Sequence, residues 1–586
     1  MTIYPSRVKL SIAPRYSPIV LFGLVVLLTG LAHANPEPIG FDGIVIGGEL
    51  RERLERNFTR LESPRYQPNA AGCFREKDYD WPGDMEGRTL LALALLEQAA
   101  GRKAVYLDET LARFPEHMNQ AGYFGKESTF DPIDEQQLAG HGWVLRGLCE
   151  RYLETKDPAI LKMIENIIGR LALPTKGSHA SYPIVPADRI NTKGSYMGEA
   201  VQQLGHWKLS TDIGCDFIFM DGVVQAATIL KRTDVNELAN EIVARFLEVD
   251  LAAIKAQTHA SLTGIRAVLR WAAFTGREDL LVKAEQQFQL YLTEGMTENQ
   301  ANWNWFGRPT HTEPCAVVDS FMIAVQLWQQ TGKPHYLDQA HLIYYNALGH
   351  AQRANGGFGC DTCLGAETAT LKIKIPEAWW CCTMRGAEGL SRAAEYAFMQ
   401  EPGVLIIPFF HPGTARLKTA GGFLKVEAKT NYPYEGELRL KVVSAPSEVV
   451  EIRLFVPSWA KSPTLTLNGN PSVGRPVGGF LSINAVFHAG DELVYRFDQS
   501  VRTKILGNRH DQLTEYQRYY YGPLLLGAED VPDVALPPAD AFKWSSQNRS
   551  ASAIGLAFAL RPINDMLLRF DVAEGSYERR AIWRMR

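Results

Sequence analysis

The sequence predicts a multidomain α + β protein, an α/α toroid (a barrel of helical hairpins) followed by a C-terminal antiparallel β-sandwich. Three observations predict it. Apolar residues recur at helical spacing from about Gly48 to Met399. After about Glu401 the spacing switches to strict alternation. Within the first part, one grammar of helix, break and helix returns several times.

The N-terminus stands apart from both. Arg7, Lys9 and Arg15 precede an apolar run from Ile19 to Leu31, and Ala32-His33-Ala34 follows. A basic stretch, a short apolar core and an A-x-A site make a secretory leader. The run is too short to span a bilayer comfortably, and no cysteine follows it to take a lipid. Residues 1–34 are therefore expected to be cut off near Ala34, leaving an exported protein, periplasmic or extracellular, without a membrane anchor.

Residues 35–400 carry the helical pattern. Asp157-Pro158 places an N-cap and a first-turn proline at one helix start. Ile160, Ile164, Ile167, Ile168 and Leu171 then mark one apolar face. YLETKDPAIL (152–161), LKRTDVNEL (230–238), AFTGREDLL (273–281) and WQQTGKPHYL (328–337) share the same break, and QAAGRKAVYL (98–107) is a weaker copy. The intervals suit pairs of helices. Such hairpins bury their apolar faces only against one another, so they stack into a solenoid or close into a ring.

Residues 401–505 read as the sandwich. GELRLKVV, VVEIRLFV and ELVYRFD alternate apolar and polar residues, and Asn468-Gly469 marks a hairpin turn. Residues 506–586 read as a second small β unit.

Bulk composition narrows the function. The net charge is −4 over 586 residues, with no long basic run, which leaves no nucleic-acid footprint. Twelve tryptophans and twenty-two tyrosines serve either large cores or stacking against sugars. Five of the eight cysteines fall between Cys315 and Cys382, a cluster more typical of a metal site than of dispersed staples. Cys360-Asp361-Thr362-Cys363 and Cys381-Cys382 could form one four-cysteine zinc site. Alternatively Glu313 and Cys315 could join Cys381 and Cys382, since zinc accepts sulfur with one oxygen. The bland reading is disulfides, with 360–363 as one pair.

These segments resemble glycoside hydrolase family 127, the β-L-arabinofuranosidases and their relatives. Glu313-Pro314-Cys315-Ala316 resembles the family's E-T-C-A segment, and Cys381-Cys382 its cysteine pair. His259-Ala260-Ser261-Leu262-Thr263 and Ala139-Gly140-His141-Gly142 resemble two histidine segments. Val456-Pro457-Ser458-Trp459-Ala460, Asn468-Gly469, Gly478-Gly479-Phe480, Gly490-Asp491 and Tyr521-Gly522-Pro523-Leu524 follow in the family's order. The resemblance covers nearly all of the chain beyond the leader.

It implies an α/α barrel with β-sandwich attachments, Zn2+ held by Glu313, Cys315, Cys381 and Cys382, and a retaining mechanism with Cys381 as nucleophile. Glu298, one short loop before Glu313, is the implied acid/base, with Glu294 as runner-up. His141 and His259 are candidate ligands for sugar hydroxyls, and Trp81 a candidate stacking wall. The substrate is then an oligosaccharide or polysaccharide of plant or algal origin, from which β-L-arabinofuranose or a related sugar is released. Three departures fall in the presumed pocket: Thr383-Met384-Arg385-Gly386 after the cysteine pair, Met220-Asp221-Gly222-Val223-Val224, and Gly142 where the family has lysine. Two other functions fit a toroid: an unsaturated-uronide hydrolase or polysaccharide lyase, and an inactive carbohydrate-binding protein with a structural zinc.

Overall fold

A computed structural model describes residues 35–68, 80–190, 200–366, 368–506, 513–569 and 577–585. The leader read at 1–34 and Cys73 lie outside the described residues. Twelve helices of nine residues or more occur among them: α1 (Gly48–Leu61), α2 (Asp84–Ala100), α3 (Leu107–His117), α4 (Glu135–Thr155), α5 (Pro158–Ile167), α6 (Cys215–Leu230), α7 (Thr233–Leu247), α8 (Thr258–Thr275), α9 (Glu278–Glu294), α10 (Pro314–Thr331), α11 (His335–Ile343) and α12 (Cys382–Glu395).

The even-numbered helices close an inner ring. Helix α2 packs on α4, α4 on α6, α6 on α8, α8 on α10, α10 on α12, and α12 returns to α2. The odd-numbered helices lie outside, each against an inner one. Burial follows this division. Helix α4 buries every residue from Glu135 to Cys149, whereas α5 buries only Ile160, Ile164 and Ile167. A helix covered on all sides belongs inside, and one with a single stripe belongs outside. The breaks behave as read: Asp157 caps α5 by accepting the Ala159 N–H at 2.8 Å, and Gly276 and Gly332 end α8 and α10 with φ of 68° and 67°.

Glycines set the closest approach in the ring. A Cβ on Gly142 of α4 would lie 2.4 Å from the Ile218 carbonyl oxygen of α6, and one on Gly222 would lie 2.6 Å from the Gly142 carbonyl oxygen. The two helices therefore touch backbone to backbone. Two of the sequence departures, Gly142 and Gly222, meet at this crossing, where a lysine has no room.

The β part holds two sandwich sheets and a third sheet. The six-stranded sheet includes Val404–Ile407, Val450–Phe455 and Phe480–Ala485, with one parallel pair between the first two. The seven-stranded sheet includes Gly413–Thr419, Gly422–Thr430, Glu437–Ser444 and Glu492–Asp498. Alternation puts Leu438, Leu440 and Val442 inside. Asn468 and Gly469 turn the hairpin after Lys461–Leu467 with φ of 53° and 77°, as a primed turn requires.

The N-terminus also serves the sandwich. Glu37–Pro38 pairs with Met399–Gln400 in one sheet, and Ile44–Ile46 pairs with Gly413–Ala415 in the other. Two strands between α11 and α12, Cys360–Asp361 and Thr370–Ile375, join the C-terminal sheet through Glu578–Arg580. Both exchanges run across the sequence division at 400. Among the described residues, no helix is long and apolar enough to cross a membrane.

Candidate active site

The candidate residues gather at helix starts. Cys382 opens α12, with Cys381 as its N-cap. Glu313 is the N-cap of α10, Pro314 its first residue and Cys315 its second. His259 lies in the first turn of α8, and Asp84 opens α2. Four inner helices thus present their N-termini to one end of the ring. Aligned peptide dipoles favour negative charge there, which suits thiolates and carboxylates.

The three sulfurs are in contact. Cys315 Sγ lies 3.7 Å from Cys382 Sγ, and Cys381 Sγ lies 3.3 Å from Cys382 Sγ. Burial pushes the Cys315 and Cys382 thiols well above their ordinary range. A hydrogen bond with Cys315 pulls Cys381 down, but hydrogen bonding to Cys382 and burial outweigh it, and Cys381 too is raised well above its ordinary range. Without a cation this is a nest of neutral thiols. Cys315 also belongs to a second cluster with Glu313 and His259, whose ligand atoms lie within 4.8 Å of one another.

The carboxylate of this set is held firmly. The Glu313 N–H donates to Asn302 Oδ1 at 2.8 Å, Gln257 Nε2 donates to Glu313 Oε2 at 3.4 Å, and His259 Nδ1 lies 3.2 Å from Glu313 Oε1. Burial alone would raise the Glu313 carboxyl, but His259 beside it holds it below the usual range. Two buried thiols, the half-buried Cys381 thiol and one oriented carboxylate, joined through Cys315, have the donor chemistry of zinc.

Behind the cluster lies a charged layer that the sequence reading did not find. His259 Nε2 is buried without a hydrogen-bond partner, 3.5 Å from Asp319 Oδ2. Asp319 accepts from Arg266 at 2.5 Å, from Arg385 at 2.6 Å and from Thr263 at 2.9 Å. Burial works against its charge, but Arg385 and Arg266 hold the carboxyl far below its ordinary range. Arg146, Asp221 and Glu388 continue the layer, all fully buried. Trp143 lies between: the His259 ring stacks on it at 5.7 Å, and the guanidiniums of Arg88 and Arg385 lie 4.2 and 4.6 Å from its centroid. Arg88 reaches Cys315 Sγ at 3.7 Å and Asp84 Oδ2 at 2.9 Å. The signal in the sequence was a lone charge inside an apolar helix, Asp319 in CAVVDSFMIAV or Arg266 in LTGIRAVL.

The remaining candidates occupy different settings. His141 is fully buried; its Nδ1 donates to Gln137 O at 2.7 Å, and its Nε2 accepts the Phe124 N–H at 2.9 Å. Both ring nitrogens are engaged within the fold, so His141 has none left for a sugar hydroxyl. Trp81 is half-buried and packs against a small apolar cluster that includes Trp143, Ala139 and Cys215. Glu298 is buried against the C-terminal sheet, its Oε2 2.7 Å from Arg518 Nη1. Glu294, the runner-up, ends α9. Cys360 and Cys363 are both free, as are all seven described cysteines. Cys363 donates to Asn302 O at 3.6 Å, while Cys360 lies within hydrogen-bonding reach of Cys382.

Comparison with known proteins fits this arrangement. Residues 404–499 match the model of the GH127 middle domain of β-L-arabinofuranosidases. A curated relative, the non-reducing end β-L-arabinofuranosidase of Bifidobacterium longum, is 29% identical over 170 residues, which are 28% of this chain. The match spans a quarter of that relative's length, 25%. Among solved structures, a GH127 β-arabinofuranosidase superposes with a TM-score of 0.71 at 14% identity, covering 94% of this chain and 98% of the other. The GH127 β-L-arabinofuranosidase of Geobacillus stearothermophilus T6 superposes with 0.69 at 13% identity, covering 93% and 100%. The matched sandwich segment, the curated relative and the fold shared along the chain together support its likeness to glycoside hydrolase family 127.

Proposed function

We propose that the protein is an exported, retaining glycoside hydrolase that releases β-L-arabinofuranose or a related sugar from plant or algal glycans. The observation that carries the reading is the meeting of Cys315, Cys381, Cys382 and Glu313 at the N-termini of two inner helices. Glu313, Cys315, Cys381 and Cys382 would hold zinc. When bound, zinc supplies the positive charge that keeps coordinating thiols deprotonated. Cys381, half-buried where its neighbours are fully buried, is the sulfur open to a substrate. Its thiolate attacks the anomeric carbon; a carbon–sulfur bond forms as the glycosidic carbon–oxygen bond breaks. A carboxylic acid gives its proton to the departing oxygen. The same carboxylate then takes a proton from water, which displaces the sulfur and restores the starting configuration.

Glu298 is the acid that the family resemblance implies. Its pairing with Arg518 favours a second reading, because protonating Glu298 breaks that ion pair. Asp84 is the rival: it too pairs with an arginine, Arg88 at 2.9 Å, but it opens α2 beside the sulfurs, and that arginine also reaches Cys315. Burial raises its carboxyl despite Arg88.

Release of p-nitrophenol from aryl β-L-arabinofuranosides, with the anomer of the first-formed sugar read by proton NMR, tests the reading. Retained configuration and loss of turnover after iodoacetamide are expected. Activity that survives thiol alkylation would instead fit a lyase or uronide hydrolase, and inactivity on every glycoside would fit a binding protein. N-terminal sequencing of secreted protein tests export, with Asn35 as the expected first residue.

A further inference from the structure

A groove of about 1000 Å³ opens where the sandwich meets the C-terminal sheet. It shares no residue with the cysteine site. Its floor is aromatic: the rings of Tyr521 and Trp544 stack at 4.0 Å and 10°. The indole is pinned, since Trp544 Nε1 donates to Tyr434 O at 3.1 Å. Phe542 extends the apolar strip.

Its rim is cationic. Lys461, Arg502 and Lys543 line the groove against one acid, Asp540. Both lysines are exposed. Lys461 Nζ donates to Ser500 Oγ at 2.9 Å, and neither lysine has a carboxylate within ion-pair distance among the described residues. Arg502 lies over the Tyr520 ring at 4.7 Å and donates to Gly522 O at 3.0 Å. Among the described residues no carboxylate lies within ion-pair distance of Arg502, which is half-buried. Two buried polar atoms in the lining have no hydrogen-bond partner, Arg502 Nε and Gln499 Oε1.

An aromatic floor under a cationic rim has a definite chemistry. A flat ring takes the C–H face of a pyranose or furanose, and cations take anionic substituents on its edge. A neutral glycan would leave the three cations uncompensated. A single-stranded nucleic acid also combines stacking with cations, but the likeness to glycan-acting enzymes favours a glycan in this groove. We propose that this groove is a second, non-catalytic binding site for an anionic glycan, one bearing carboxylate or sulfate groups. The inference rests on the reading of the protein as a glycan-acting enzyme. It would tether the enzyme to a charged polymer while the toroid works on a terminal sugar.

The test is affinity electrophoresis of the full secreted protein through gels containing polygalacturonate, dextran sulfate or neutral arabinan. Wild type should be retarded by one or both anionic polymers, less so with added salt, and not by the neutral one. Trp544→Ala and the double variant Lys461→Glu/Lys543→Glu should each weaken retention roughly tenfold. Turnover of a small aryl glycoside should not change. The lysine variant alters only exposed side chains, so it keeps the test decisive if Trp544→Ala misfolds. The polymer that is held more tightly distinguishes carboxylate from sulfate. Absence of retention on both anionic polymers overturns the proposal, as does unchanged retention of the lysine variant or equal retention on arabinan. Retention by a protein inactive on all glycosides would leave the groove standing and remove the hydrolase reading; activity without retention would do the reverse.

Discussion

Cys381 has two roles in the proposal, so substituting it cannot separate them; its neighbours can. Cys315→Ser removes the sulfur that joins both ligand clusters, and bound zinc should fall from about one ion per chain to a small fraction. Elemental analysis checks this. Cys360→Ser should keep the metal; if it loses zinc while Cys315→Ser retains it, the site belongs to the C-x2-C knuckle. The acid is resolved the same way. Glu298→Gln or Asp84→Asn, whichever removes the acid, should lose roughly 10²- to 10⁴-fold in rate on poor leaving groups, and far less on good ones. The clustering of Glu313, Cys315, Cys381 and Cys382 was legible because two short segments keep the right residue types in order. His141 was misleading, because a histidine on a helix reads alike whether its nitrogens face a pocket or a backbone. Only the Gln137 carbonyl and the Phe124 amide decide that.

At the scale of elements, the inner helices are distinguished by what they bury. Arg266, Asp319, Arg385 and Glu388 show in sequence only as charges within helices, Arg266 and Asp319 as lone ones in apolar runs. Ring closure turns them inward, and sequence periodicity does not reveal closure. Their pairing makes a prediction. Asp319→Ala leaves Arg266 and Arg385 without their shared carboxylate and should cost about 3–5 kcal/mol of stability, read from urea denaturation. A layer that only decorates the core would show a cost near zero. The α4–α6 crossing makes another. Gly142→Ala forces the backbones apart, and a loss of about 1–3 kcal/mol is expected, whereas alanine at exposed Gly276 has no such clash. The hairpin grammar, the Asp157 cap and the Asn468-Gly469 turn were legible because each depends on local chemistry. The strands at Cys360–Asp361 and Thr370–Ile375 were not, since their partners lie far away in sequence.

Across the whole molecule, buried histidines set an acid limit. Burial lowers His141, His311 and His411 to about 4 and His341 to about 3. Their unfolded value is near 6.5. The unfolded chain therefore binds protons first, and stability is present above pH 6.5 and lost as pH falls toward 4. Each histidine contributes a slope of roughly 1.4 kcal/mol per pH unit in that window. Melting temperature should drop steeply between pH 6.5 and 4 and stay level from 6.5 to 8; a flat profile down to pH 4 would contradict the burial of these rings. The exchange of strands between the two halves has a consequence in time. A ribosome delivers the chain from its N-terminus, so the helices of the ring are complete long before Glu578–Arg580 emerges. Until then Thr370–Ile375 lacks its partner on one edge, while the loop that leads into Cys381 is already held by Arg60 on Glu377 and by the Ala378 N–H on Phe358 O. A protein truncated just before Glu578 would keep the ring helices and the clustered cysteines, yet leave the Thr370–Ile375 edge open to pairing with another chain.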